Sequence, residues 1–273
     1  MKKVTNTAII FLITIIIFVL FVPSFYPHQY YTINPDLMFA KISRGHIFGN
    51  DALGRDMFIR VCIGIRNSML ISISAIFFSV FIGVIYGSCA GYKGKNAERF
   101  MVIVINVLES VPDFLLAVLL MIFFSNLKIK NLNGSIAGMF FTLIFLSWIP
   151  IARITKNEAK KVANNDFVLY SKLKGAGFFH IFSTHIFPNI KGTVLVTAIQ
   201  RISSGIFLET TLSFVGIGIQ PPEPSLGSMI NQSIRSLRIA PHLLFLPSIC
   251  LIFVVLLFSI LGESLINTHD GSK

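Results

Sequence analysis

Residues 166–189 read DFVLYSKLKGAGFFHIFSTHIFPN, a lysine-bearing, glycine-broken stretch between apolar runs long enough to cross a bilayer. Asn164, Asn165 and Asp166 supply side-chain oxygens that can cap a helix start, and Gly175 and Gly177 supply the left-handed backbone that ends one. A second short helix is expected to run from there towards Pro188. At helical spacing Phe167, Leu169, Tyr170 and Leu173 share one broad arc, and Phe178, Ile181, Phe182 and Ile186 share another. Two amphipathic helices joined at a glycine need an apolar partner, either the headgroup region of a membrane or another protein.

The surroundings of this stretch set the class of the molecule. The chain has 273 residues, of which 54% are hydrophobic and 13% charged, and its mean hydropathy is +0.77. That is too apolar for an ordinary soluble domain and implies an integral membrane protein. The net charge of +11 does not point to nucleic acid, because the basic residues collect in loops between apolar runs and form no continuous tract. Between positions 153 and 191 lie Arg153, Lys156, Lys160, Lys161, Lys172, Lys174 and Lys191, opposed by Glu158 and Asp166 alone. By the positive-inside trend this loop is cytoplasmic. Cys62, Cys89 and Cys250 are far apart, without metal-type spacing, and are expected to serve packing.

Six spans are expected in an all-α fold. The first, after the basic start at Lys2 and Lys3, ends near Val22 and Pro23. Its core at 9–22 is short enough for a signal-peptide segment, but no convincing cleavage site follows, so an uncleaved span is favoured. The others are 69–90, 100–124, 136–152, 192–219 and 243–262, with Trp148 as an interfacial anchor and Lys128 and Lys130 in a short outer loop. This count puts both termini in the cytoplasm. It divides the chain into an anchor and external segment (1–65), a permease-like membrane domain (66–267, with its cytoplasmic loop at about 153–191) and a polar tail (268–273).

Four charges fall within the expected spans. Glu109 and Asp113, four apart around Pro112, would share one helix face, and Arg201 and Glu209, eight apart, would project from similar faces about 12 Å along the axis. An ionised side chain at the centre of a span costs about 2.5–3.5 kcal/mol, so such groups should face protein or water. They are candidates for a translocation path, where Glu109 and Asp113 would offer cationic groups a weak stepping site. The alternative is interhelical hydrogen bonding that fixes packing. In the external segment Asp51, Arg55 and Asp56 around Gly54 can satisfy one another by surface ion pairing, worth about 0–1 kcal/mol. His180 and His185, five apart, do not share a helical face and are not a metal pair.

Three blocks of sequence carry a resemblance. The first is Asp166, Phe167 and Val168, then Gly175, Ile181, Pro188 and Asn189. This spacing resembles the cytoplasmic "EAA" loop of ABC-importer permeases, although Leu169, Tyr170 and Ser171 stand where that family usually has Glu-Ala-Ala. The second is G-x-D-x-L-G-R-D at 49–56 followed by G-x-R-x-S at 64–68, and the third is E-x-x-L-S-F-x-G-x-G-x-Q-P-P-x-P-S-x-G at 209–227. These two resemble the "C-type" permease of the dipeptide, oligopeptide and nickel ABC importers.

The resemblance implies a pore subunit whose coupling loop, through Asp166, Phe167, Tyr170, Leu173, Gly175, Ile181 and Pro188, docks on an ATPase. It further implies a second permease subunit in a heterodimer, two ATP-binding subunits, an extracellular solute-binding protein near the proline-rich outer turn, and a bacterial cytoplasmic membrane. Peptides are the expected substrate class, with nickel or a metal-chelator complex as the alternative. The chain has no G-x-x-x-x-G-K-[ST] phosphate loop, so ATP and magnesium are expected on partner subunits and no cofactor on this chain. It also lacks H-E-x-x-H, G-x-S-x-G and C-x-x-C. A membrane-embedded enzyme or scaffold built on the four buried charges is the reading from another class, and it gives no reason for the cytoplasmic helix pair.

Overall fold

The computed structural model describes residues 2–126 and 133–270. Ten α-helices follow in order: α1 (Lys2–Phe25), α2 (Met57–Lys93), α3 (Lys95–Glu109), α4 (Asp113–Ser125), α5 (Gly134–Ala163), α6 (Asp166–Leu173), α7 (Phe178–Ile181), α8 (Phe187–Val215), α9 (Leu226–Ile234) and α10 (His242–Asp270). A 3-10 turn at Pro35–Leu37 and a π-helical turn at Phe182–Ile186 complete the helical elements. Among the described residues the extended backbone amounts to one isolated bridge between Asn50 and Asp56, so the all-α expectation holds. Lys128, Lys130 and residues 271–273 lie outside the described residues.

Among the described residues three helices are long and apolar enough to cross a bilayer: α2, α5 and the part of α10 from His242 to Leu265. The α3–α4 pair makes a fourth if its two arms count as one span. Within α1 the apolar stretch Ile9–Phe25 is shorter, and α8, at 29 residues, is long but diluted by Thr, Ser, Gln, Arg201 and Glu209. Length and apolarity therefore support three or four of the six expected spans.

Several boundaries differ from expectation for local reasons. The second span was expected to begin at Met69 after an irregular external segment, yet α2 begins twelve residues earlier. Asp56 caps it: its Oδ1 accepts the backbone N–H of Ile59 at 3.1 Å. At 37 residues α2 is about 55 Å long and outreaches a hydrocarbon core of about 30 Å. The third span is not continuous. Pro112 is extended (φ −54°, ψ 129°) and has no N–H to continue the ladder, so α3 and α4 meet at 86°. α5 begins at Gly134 and runs through Pro150 to Ala163, α8 starts at Phe187 and not at Gly192, and α10 continues to Asp270 into the expected tail. Pro23 lies inside α1 and does not end it.

α2 is the axis of the bundle, and its most extensive packing is on α5. Gly83, Gly87 and Gly91, four apart, turn one bare strip of α2 onto α5. A Cβ on Gly83 would lie 2.8 Å from Ile151 Cγ2, one on Gly91 2.6 Å from the Lys156 carbonyl, and one on Gly87 would meet the Ala152 carbonyl. Small residues at this spacing let two backbones touch, which is how helices associate where burial from water supplies no driving force. Around this pair lie an outer apolar cluster joining α1, α2, α8, α9 and α10, a central one joining α2, α4, α5 and α8, and an inner one beneath α6 and α7. Trp148 is half-buried on α5, its ring edge-on to Tyr86 of α2 at 5.3 Å.

This packing predicts that Gly87→Leu destabilises the detergent-purified protein by about 1–3 kcal/mol, the usual cost of overpacking. Gly45→Ala, in open space, should be neutral. Thermal unfolding of the two variants checks the contrast.

Candidate functional site

The stretch 166–189 folds into a helix, a reversal and a second helix. Asn165 is the N-cap of α6 by backbone alone, and Asp166 puts a carboxylate into the first turn, where the helix dipole favours it. Gly175 has φ +83° and lets the chain turn back: its N–H donates to the Lys172 carbonyl at 2.9 Å, and that of Ala176 to Ser171 at 3.1 Å. No atom lies within 4 Å of a Cβ there, so the requirement for glycine is set by the backbone. Gly177 does not share this role; its φ is −73° and it simply starts α7. The expected separate second helix is instead continuous with α8 through the π turn, and Pro188 stands in the first turn of α8.

The two arcs read from sequence face opposite ways. Ile181 and Ile186 are fully buried, with Val168 of α6, against Val84, Ile151, Ala159, Ile190 and Val194. Phe178 and Phe182 are half-buried beside them. The other arc stays outside: Phe167, Leu169 and Tyr170 are exposed, Leu173 is 86% exposed, and Phe179 of α7 adds 81%. The result is an apolar knob on a rigid base. Lys174 Nζ lies 4.6 Å from the Tyr170 ring centre, Lys172 Nζ 4.3 Å from that of Tyr92, and His185 packs on Phe167 at 5.5 Å. His180 and His185 join no metal-type cluster among the described residues.

The four candidate pathway charges do not form one constellation. Because the third span breaks, Glu109 ends α3 and Asp113 begins α4, so they do not share a helix face. Glu109 forms an ion pair with Arg153 of α5, both partly exposed. Arg201 feels the charge of Asp113, and its buried Nε has no hydrogen-bond partner. Glu209 is 0% exposed while Arg201 is half-buried, so the two α8 groups sit in different surroundings.

Glu209 is bound by hydroxyls. Ser68 of α2 donates to its Oε2 at 2.6 Å and Ser213 to its Oε1 at 2.9 Å. Ser213 Oγ in turn accepts the Ile219 N–H at 3.1 Å, and the next N–H, of Gln220, reaches Ser135 Oγ of α5 at 3.2 Å. Beyond the turn, Asn67 donates to Glu223 Oε2 at 3.1 Å and to the Pro224 carbonyl at 3.3 Å, Tyr30 donates to Glu223 Oε1 at 2.9 Å, and Ser225 caps α9. Burial, together with Glu223, raises the Tyr30 phenol above its ordinary value and keeps it a donor.

The irregular segment between α1 and α2 closes on the start of α2. The expected pairing of Asp51 with Arg55 forms, with Oδ2 2.8 Å from Nε, but it is largely buried and not on the surface. Arg55 also donates to Gln232 of α9 at 3.3 Å. Asp56 takes a different role from the one expected. Besides capping α2, it accepts from Tyr26 at 3.3 Å and pairs with His46 Nδ1 at 2.7 Å. Burial, and then the Asp56 charge, push the Tyr26 phenol up to about 12. His46 stacks on His28 at 4.6 Å. Sequence reading missed Tyr26, Tyr30, His28, His46 and Glu223, which lie in irregular backbone where no period assigns a partner. The one available signal was the lone carboxylate of the proline-rich turn, Glu223.

Comparisons with known proteins agree with this architecture. Residues 79–271 match the family described as "Binding-protein-dependent transport system inner membrane component". The chain is 32% identical over 269 residues to an oligopeptide transport system permease protein, OppC, of Bacillus subtilis, covering 98% of this chain and 86% of that one. It is 32% identical over 271 residues to OppC of Haemophilus influenzae, covering 98% and 85%. It is 34% identical over 230 residues to a dipeptide transport system permease protein, DppC, of Bacillus subtilis, covering 84% and 69%. Family model and relatives together extend over the 166–189 stretch, the Glu209 region and the turn at 220–225, and the chain is a multi-pass membrane protein that belongs to the binding-protein-dependent transport system inner membrane components.

Proposed function

We propose that this chain is a pore-forming permease subunit of an ATP-driven importer of di- and oligopeptides, lying in a bacterial cytoplasmic membrane with both termini inside. One observation carries the mechanism: the knob of Phe167, Leu169, Tyr170, Leu173 and Phe179 stands exposed on a base that is fully buried at Val168, Ile181 and Ile186. An apolar surface held this rigidly suits a docking helix better than a lipid-lying one, because its base is locked into α2, α5 and α8.

In this reading the knob sits in a cleft of an ATPase, and the partner ATPases bind ATP and magnesium. Their closure pushes on α6 and α7, and the continuous π turn passes the push directly into α8. Asp166, Phe167, Tyr170 and Leu173 make the contact; Gly175, Ile181 and Pro188 hold its shape. A second permease completes the pore, and an extracellular solute-binding protein delivers cargo to the turn at 220–225. Six spans follow if α1 and α8 cross the membrane as part of the assembled bundle, with the bent α3–α4 pair counted as one.

Peptides are favoured over nickel or a metal-chelator complex by the oligopeptide and dipeptide names of the relatives. The enzyme or scaffold reading loses ground because Glu109, Asp113, Arg201 and Glu209 do not converge. Asp113 and Arg201 remain candidates for a wet path, while Glu209 is better suited to holding helices together.

Phe167, Tyr170 and Leu173 changed together to alanine should insert normally and abolish uptake of labelled peptide together with ATPase binding. Survival of both activities removes the docking role. Gly175→Val should uncouple similarly, since a β-branched residue at φ +83° costs about 1–2 kcal/mol; uptake at the parental level would contradict the requirement for a left-handed turn. Cells lacking the chain should lose uptake of labelled dipeptide or oligopeptide and regain it on restoration, with nickel uptake unchanged.

A further inference from the structure

A cavity of about 470 Å³ lies between the irregular external segment, the first turns of α2, and α9 with the start of α10. Its volume falls within the range of about 300–1,000 Å³ usual for small-molecule sites. Its lining includes the apolar Phe39, Met57, Ile239 and Leu243, and carries Arg55, Arg60 and Arg235 against a single carboxylate, Asp51.

That carboxylate is already committed. Its Oδ2 holds Arg55 Nε at 2.8 Å, and its Oδ1 accepts the N–H groups of Leu53 and Arg55 at 2.9 and 3.0 Å. Arg60 is left short. It is 3% exposed, and its Nη1 donates to the Tyr30 carbonyl at 3.2 Å. Its Nε stands 3.6 Å from Asp51 Oδ2, within reach of an ion pair but too far for a hydrogen bond, and is buried without a hydrogen-bond partner. A buried guanidinium donor is rarely left unmade, because its desolvation is not recovered. Three cationic side chains against one committed anion, in a lining shared with apolar side chains, match an anionic group that carries a hydrophobic side chain.

We infer that this cavity binds the C-terminal carboxylate of a peptide, with Arg60 and Arg235 as its cationic partners and Phe39, Met57, Ile239 and Leu243 receiving the last side chain. The assignment to peptide cargo rests on the importer reading above; the anion preference rests on the cavity alone. A carboxylate would complete Arg60 through charge-assisted hydrogen bonds, which a neutral amide cannot match.

The test compares tri-leucine with its C-terminal amide for binding to the purified full-length chain in phosphatidylcholine nanodiscs. The free acid should bind at least about tenfold tighter, the effect of one charge-assisted hydrogen bond, and Arg60→Gln should remove the difference. Arg235→Gln, at an exposed position, should narrow it without disturbing the fold, so the inference does not depend on Arg60→Gln folding. Equal binding of acid and amide overturns it, as does absence of binding by either, or a preference that survives Arg235→Gln and a folded Arg60→Gln. Loss of tri-leucine binding in phosphatidylglycerol nanodiscs would assign the cavity to a lipid headgroup and also overturn it. Peptide uptake by cells keeps the two readings apart. Uptake that depends on the chain while acid and amide bind alike leaves the importer standing and removes the cavity. Acid-selective binding by a chain dispensable for uptake keeps the anion site and removes its cargo.

Discussion

The Glu209 carboxyl, with no exposed surface, has hydroxyl partners on α2 and on its own helix, at 2.6 and 2.9 Å. Such a group inside a helical bundle has few alternatives. Facing lipid it would cost several kcal/mol, and a second ionised group would have to be buried beside it to neutralise it. Two serines solve the problem with neutral donors, and the solution constrains everything nearby. Ser68 must sit at that height on α2, which pins α2 to α8. Ser213 must turn its lone pair to the Ile219 N–H, which shapes the end of α8. The turn that follows is then held to α5 by Ser135 and to α2 by Asn67, and it delivers Ser225 to cap α9.

At the opposite end of α8 the contacts are apolar. The π turn joins the loop to α8 without a flexible break, and the buried base of α6 and α7 rests on α2 and α5, whose own contact is closed by Gly83, Gly87 and Gly91. In the proposed importer a displacement of the exposed knob is carried along α8 to the hydroxyl-bound carboxyl and the turn at 220–225. The two ends of the proposed machine, the ATPase side and the solute side, share α8 as their common lever.

Much of this was legible in the sequence. The two apolar arcs of 166–189 were readable because helical period decides which side chains share a face; which arc turns inward depends on the neighbouring helices and was not. Gly175 is left-handed as expected, whereas Gly177 is not, because a single positive φ already completes the reversal. The early start of α2 is not legible because the charge pattern around Gly54 suits a surface ion pair, whereas Asp56 serves as a helix cap. The break at Pro112 was visible as a proline, but an apolar window concealed its 86° consequence. Glu209 is recognisable as costly and as needing a partner on another helix, but which one is not legible, since serine hydroxyls 141 and 4 residues away carry no mark of that role. The second and third motif blocks, which look separate in the sequence, are thus parts of one hydrogen-bonded unit.

The most direct measurement of that unit is a double-mutant cycle on Ser68→Ala and Glu209→Leu, following unfolding of the purified chain in mixed micelles. A bond that joins α2 to α8 predicts a coupling energy of about 0.6–2 kcal/mol between the two changes. Strict additivity of their effects would contradict the account, because α2 and α8 would then be held together by packing alone.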